Sequence, residues 1–123
     1  MRQGYVAVAG RNVIYPAIAV NASGTGAMVF TLAGEGYYPS AAYTTFTLGG
    51  GAGNVVHANG IGVAPEDGFT CYPPFSKGTC RWGDYSAAVA QDTTTIVMAT
   101  EYIPGPRDVR ANWGTFVTLY ASP

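Results

Sequence analysis

Residues 81–103 read RWGDYSAAVAQDTTTIVMATEYI, and the fold turns on this stretch. Arg81 to Asp84 form a loop carrying a guanidinium, an indole and a carboxylate. Tyr85 to Ala90 then read as a strand of small residues, QDTTT as a polar turn, and Thr95 to Ile103 as a second strand. The second strand carries apolar or small side chains on both faces, where a sheet with one wet face would alternate. Such strands are expected where a sheet is sandwiched between two others.

A degenerate copy lies seventy positions earlier, at Arg11 to Ala33. At that offset Arg11 matches Arg81, Tyr15 matches Tyr85, Ala17 matches Ala87, Thr25 matches Thr95 and Met28 matches Met98. Further on, Ala41 matches Ala111, and Thr45 and Phe46 match Thr115 and Phe116, with Tyr43 opposite Trp113 as an aromatic pair. The matches fall at equivalent points of three successive strands, as internal repeats require. The plain alternative is two unrelated stretches of similar β composition.

Between and around these stretches the chain reads as strands at Tyr5–Ala9, Ile14–Val20, Ala27–Leu32, Ala41–Leu48 and Asn54–Ala58, with a last one at Trp113–Tyr120. Pro16 sits near the start of its strand, where a missing N–H is tolerated. Residues 59–83 form a long irregular insertion containing both cysteines. Composition agrees: Gly 17, Pro 8, Tyr 9 and a single lysine, Lys77, describe short strands joined by tight turns. No stretch has a helical period. The fold class is all-β.

Repeated units of three or four antiparallel strands are what a β-propeller blade looks like. Blade-like repeats at about 11–58 and 81–120 give a segment of about two blades, with 5–9 as a spare leading strand. Two blades do not close a ring, since propellers have roughly four to eight. Closure then falls to the remaining blades of a longer chain or to copies of this one, each leading strand completing a neighbour's last blade. Three copies would give six blades.

Charge excludes some partners. Six basic residues scattered among seven acidic ones, a net charge of −1, form no run that would track a phosphate backbone. No apolar run reaches the roughly 20 residues of a membrane span. Cys71 and Cys80 enclose a short loop with two prolines. One even pair favours a disulfide and an oxidising compartment over two free thiols. A zinc site would need more than His57 as a further soft ligand. The segment MRQGYVAVAG lacks the pattern of a signal peptide, so a secreted protein would be represented here by its mature part.

The run Arg81–Ile103, followed by NWGTFV at 112–117, resembles the C-terminal blades of secreted bacterial sialidase-like (BNR-type) β-propeller proteins. The resemblance rests on W-G-D-Y-S at a strand start, A-T-E-Y at a strand end and a later W-G-T. It covers about residues 81–118 well, and 14–48 less specifically. It implies a propeller fold and an extracellular setting. The sialidase mechanism of that family uses an arginine triad, a tyrosine nucleophile assisted by a glutamate, and an aspartate acid. Residues of those types occur here as Arg81, Arg107 and Arg110, Tyr85 or Tyr102, Glu101 and Asp84. Their spacing maps onto no family motif, so no catalytic residue is carried across. The family's S-x-D-x-G-x-T-W turn is also eroded, to Ala22-Ser23-Gly24-Thr25-Gly26.

Four residues stand out as a ligand site at the mouth of a propeller channel: Arg81, Trp82, Asp84 and Glu101. The plainer reading is that Asp84 caps its turn and pairs with Arg81. In a multi-copy ring Asp84 would recur around the axis and offer oxygen ligands to Ca²⁺; no other cofactor is implied. Glu101, set between apolar neighbours, suits a raised-pKa acid. Its plainer role is to bond backbone N–H groups or an arginine such as Arg107 or Arg110. Glu66-Asp67-Gly68 resembles part of a calcium loop without its other acids. Ser86 is not in a nucleophile elbow, and His57 reads as a strand or surface histidine. The aromatics Tyr37, Tyr38, Tyr72, Trp82 and Trp113 offer sugar-stacking platforms or simply core packing. Three functions remain open: an extracellular module for binding, interaction or assembly, part of a sialidase-like glycoside hydrolase, or a structural subunit of an extracellular assembly.

Overall fold

The computed structural model describes residues 3–123, with the backbone alone at 51, 52 and 54. Seven strands form two antiparallel sheets. The first sheet holds β1 (Asn12–Val20), β2 (Thr25–Gly34), β3 (Tyr37–Thr47) and β4 (Gly51–Gly60), neighbours in chain order. The second holds β5 (Ala87–Ala90), β6 (Thr95–Tyr102) and β7 (Gly114–Ala121), again in chain order. The one helical element among the described residues is a 3-10 turn at Phe69–Cys71. The chain is all-β, and Cys71 and Cys80 are joined by a disulfide.

The repeat is visible in the register. Ala17 pairs with Val29 and Val20 with Gly26 in the first sheet; Ala87 pairs with Ala99 and Ala90 with Ile96 in the second. All four pairs are related by seventy residues. The two hairpins close alike, Asn21 N–H donating to Thr25 C=O and Gln91 N–H to Thr95 C=O, both at 2.9 Å. The third strands break the offset. Thr31 pairs with Ala41, whereas Glu101 pairs with Thr115, four residues further on. The matches of Ala41, Tyr43, Thr45 and Phe46 with Ala111, Trp113, Thr115 and Phe116 are therefore not structural equivalents. The cause is the connection: β2 turns into β3 through Glu35 and Gly36, while β6 reaches β7 through residues 103–113.

The sheets pack face to face, β1 against β5 and β2 and β3 against β6. Ala27 and Val29 of β2 meet Ile96 and Met98 of β6, all buried, with Ala17, Ala19, Tyr43, Ala88 and Tyr120 around them. Fully burying a large apolar side chain contributes roughly 1.5–3 kcal/mol, and alanines elsewhere in the layer let the backbones approach. The polar groups of the interface are paired: Thr100 Oγ1 lies 2.7 Å from Ser86 Oγ and 3.2 Å from Thr31 Oγ1.

The packing uses opposite faces of equivalent strands. The repeat equivalents of Ala27 and Val29 are Val97 and Ala99, which point away from the interface, on the face that carries the exposed Val89, Val117 and Leu119. The two sheets are thus stacked in translation, not related by a two-fold axis.

The expected leading strand at 5–9 does not form. Tyr5–Ala9 joins no sheet; instead Val6 and Val8 tuck onto the outer face of the first sheet, against Phe30, Leu32 and Ala42. Its alternating apolar pattern covers a face where it was expected to extend a ladder. A β-bulge between Ile14 and Ala17 holds Tyr15 at φ +52°, a left-handed conformation uncommon for a large side chain.

Candidate functional site

The irregular insertion and the β6–β7 connection are knitted into one platform. The Asn112 side chain, buried, donates to the Pro65 and Gly105 carbonyls at 2.7 and 3.3 Å and accepts from Asp67 N–H at 3.4 Å. Phe69 N–H donates to Arg110 C=O at 2.6 Å, and Val63 N–H to Ile103 C=O at 2.9 Å. The disulfide sulphurs of Cys71 and Cys80 sit 3.6 and 3.7 Å from the Glu66 carbonyl oxygen. Short loops of this kind hold shape through such covalent and backbone ties rather than through a core.

On this platform opens a cleft of about 310 Å³. Phe69 and Thr70 come from the 3-10 turn, Arg81 to Tyr85 from the approach to β5, Glu101 from the end of β6 and Trp113 from the start of β7. The four residues singled out in the sequence, Arg81, Trp82, Asp84 and Glu101, therefore share one cavity. Phe69 and Trp113 were not assigned to it as a group. Phe69 and Trp113 rings stand 5.8 Å apart. Trp113 approaches so closely that a side chain at Gly68 would meet its ring at 2.7 Å. Tyr15 Cδ2 lies 3.8 Å from where a Gly83 Cβ would stand. Phe69 carried no signal in the sequence.

The plainer electrostatic roles are also present. Arg81 bridges Asp84 at 3.1 Å, with both side chains mostly exposed, so the pair adds little stability. Glu101 accepts from the Gly83 backbone N–H, not from Arg107 or Arg110. Gly83 has φ +31°, and a Cβ there would stand 3.0 Å from Glu101 Oε2, so glycine lets the carboxylate reach the backbone. Arg107 lies over the Tyr72 ring, 4.9 Å from its centroid. Tyr37 lies under Arg11 at 4.8 Å, and His57 stacks on Tyr43.

Burial raises the Glu101 carboxyl above its ordinary value, and the negative charge of Asp84 adds to this against the Gly83 hydrogen bond. Glu66 is raised too, chiefly by burial, with Asp67 and Glu101 adding repulsion and the Gly68 N–H opposing. Trp82 Nε1, Glu66 Oε2 and Asp67 Oδ1 are buried without a hydrogen-bond partner among the described residues. Among the described residues, no three His, Cys, Asp or Glu side chains cluster as metal ligands. A second hollow, about 390 Å³, lies at the opposite end of the sheets between Thr25, Thr47 and Tyr120. It brings together no charged side chain.

No family model matches the chain, and neither the curated proteins nor the solved structures include a match to it. Among the described residues, no helix is long and apolar enough to cross a membrane.

Proposed function

We propose that this chain is a pair of adjacent blades of an extracellular β-propeller and that its cleft binds a glycan. The observation that carries the binding reading is the meeting of Trp82, Trp113 and Phe69 with Glu101 and Asp84 in one open cavity. Aromatic faces stack on the apolar faces of sugar rings, and carboxylates accept hydrogen bonds from sugar hydroxyls. Trp82 Nε1 adds a buried donor with no partner among the described residues, a group a ligand oxygen would satisfy. The blade reading is supported by the stacking in translation, since head-to-tail packing of a repeat generates rings or filaments. The disulfide fits an oxidising, extracellular setting.

The cleft favours neutral or amino-bearing sugars over carboxylated ones. Arg81 is the one arginine among the described residues that lines it, and its guanidinium is engaged by Asp84. Arg107 is stacked on Tyr72 outside it. This weighs toward binding and against the sialidase-like alternative, which needs several arginines around one carboxylate.

Both tryptophans of the chain line the cleft, so intrinsic fluorescence reads it directly. Titration with neutral, amino and sialylated oligosaccharides, chosen from a glycan array, should change the emission with the first two classes. Trp82→Ala or Trp113→Ala should abolish array binding. Silence on the array together with an unchanged spectrum would sink the binding reading, and turnover of a fluorogenic sialoside would favour the enzyme.

A further inference from the structure

The interface between the two sheets is built to be repeated. One partner offers the β2 face of Ala27 and Val29, and the other offers the β6 face of Ile96 and Met98. Each sheet therefore keeps one face that meets no other sheet within the chain, open on the second sheet and partly covered by Val6 and Val8 on the first. On the second sheet this is the face of Val97 and Ala99, equivalent to Ala27 and Val29, where Val89, Val117 and Leu119 are 59%, 64% and 57% exposed. On the first sheet it is the face of Met28 and Phe30, equivalent to Met98 and Thr100. The two unused faces are complementary in the same sense as the two that already meet. Apolar side chains exposed contiguously in this way mark an interaction surface.

The leading segment completes the picture. The second sheet has three strands and ends in β7 as a free edge, while the first has four. Within the chain, β5 lies over β1, and β6 over β2 and β3. A second copy stacked in the same way would place its β5 and β6 over β1 and β2 of this one. There Ile18 and Val20 are 56% and 40% exposed. Val6 and Val8 instead cover the rest of that face, packed against the buried Phe30, Leu32 and Ala42. That is the ground a fourth strand beside the incoming β7 would occupy.

We propose that a second copy of this chain docks head to tail, the outer face of its three-stranded sheet on the outer face of the four-stranded sheet. Residues 3–10 of the receiving copy lie beside the incoming β7 as the strand its sheet lacks. The occupant is argued from continuity with the interface inside the chain: the same repeat, the same pair of faces and the same strand order recur. The proposal rests on the blade reading of the two sheets and not on the ligand of the cleft. Head-to-tail contacts close into a ring when the rotation between copies allows, and three or four copies would give a ring in the usual range of roughly four to eight blades.

Light scattering behind size-exclusion chromatography tests it on the 12.8 kDa chain. A defined multiple of that mass is expected, and a monomer at all concentrations would overturn the proposal. Two double variants fix the polarity. Val117→Lys with Leu119→Lys blocks one face, and Ile18→Lys with Val20→Lys blocks the other; all four side chains are exposed, and circular dichroism checks the fold. Each variant alone should be monomeric. An equimolar mixture should give a dimer and nothing larger, because one good face of each kind remains. A variant that still self-associates, or a mixture that stays monomeric, would refute head-to-tail docking. Amide exchange on the blocked monomers separates this from failure of the blade reading. Protected β2 and β6 keep the two-sheet packing intact, whereas an unprotected β6 would sink the packing itself.

Discussion

The two sheets begin alike and end differently. Their first hairpins share the register of the pairs beside the turn, the turn hydrogen bond and the turn length. After the second strand they diverge: the first sheet turns back through Glu35 and Gly36, and the second sends out residues 103–113. The same is true upstream, where β5 is preceded by the long disulfide-bearing insertion and β1 by the segment whose Val6 and Val8 cover the first sheet. The candidate cleft lies where those two additions meet. A repeated scaffold thus supplies position, and the places where the repeat is broken supply chemistry. Binding residues are commonly found on loops held by a rigid framework.

This contrast predicts that framework and platform fail separately. The largest effect should come from the framework. Phe30, fully buried in the first sheet, should cost roughly 3–5 kcal/mol as Phe30→Ala, read by chemical denaturation, and should lower the stability of the whole chain. Val117→Ala, on the exposed face of the second sheet, should change the monomer by less than about 0.5 kcal/mol. Equal losses at the two positions would mean that both faces are already covered.

Next comes the platform. Replacing Cys71 and Cys80 by serine should cost about 2 kcal/mol, near the low end of disulfide effects because the closed loop is short. Amide exchange should show the loss confined to the insertion, with β2 and β6 still protected. Asn112→Ala should cost about 1–3 kcal/mol, since it leaves the Pro65 and Gly105 carbonyls and the Asp67 N–H without their partner. It should also weaken any response of Trp113, its neighbour in sequence. A variant that melts the sheets as cooperatively as Phe30→Ala would show that platform and framework are one unit.

The division also explains what was legible in the sequence. Strand periodicity and the seventy-residue offset located seven strands, because pattern and turn chemistry are local. The offset misled in the third strands, where Phe46 was matched to Phe116. The registers instead make Phe46, opposite Gly26, equivalent to Tyr120, opposite Ile96. An identity count cannot see an insertion that shifts pairing by four. Tyr5–Ala9 carried a strand's alternation, yet its partner edge is not offered within the chain. At the cleft, Arg81, Trp82 and Asp84 are close in sequence and Glu101 sits at the end of the adjoining strand, so their meeting was readable. Phe69 and Thr70 reach it only through the fold of the insertion, held by Asn112 forty-odd residues away.

The smallest effect is a matter of sign, and it distinguishes the two ends of the second sheet. At the hairpin end, Asp92 accepts from Thr94 and Thr95 N–H at 2.8 and 2.7 Å, which holds its carboxyl below the ordinary value of 3.8. A lowered carboxylate contributes stability present above its unfolded value and lost as pH falls through the folded one. At the cleft end, Glu101 and Glu66 are raised above their ordinary 4.5, chiefly by burial, with repulsion from Asp84 on Glu101 and from Asp67 and Glu101 on Glu66. There the folded chain binds more protons than the unfolded chain just above pH 4.5. Stability from these groups is therefore highest at low pH and declines as pH rises through the raised values. Glu101→Gln keeps an acceptor for the Gly83 N–H but removes the charge. It should raise the melting temperature near pH 7 relative to the parent and leave it nearly unchanged near pH 4, where the carboxyl is protonated anyway. Asp92→Asn should do the reverse, lowering the melting temperature at pH 7 and converging with the parent in acid. Thermal scans of the three proteins from pH 7 down to below 3.8, where the lowered Asp92 carboxyl takes up its proton, decide it. A Glu101→Gln curve running parallel to the parent would mean that the cleft carboxylate is as well solvated as the one on the turn.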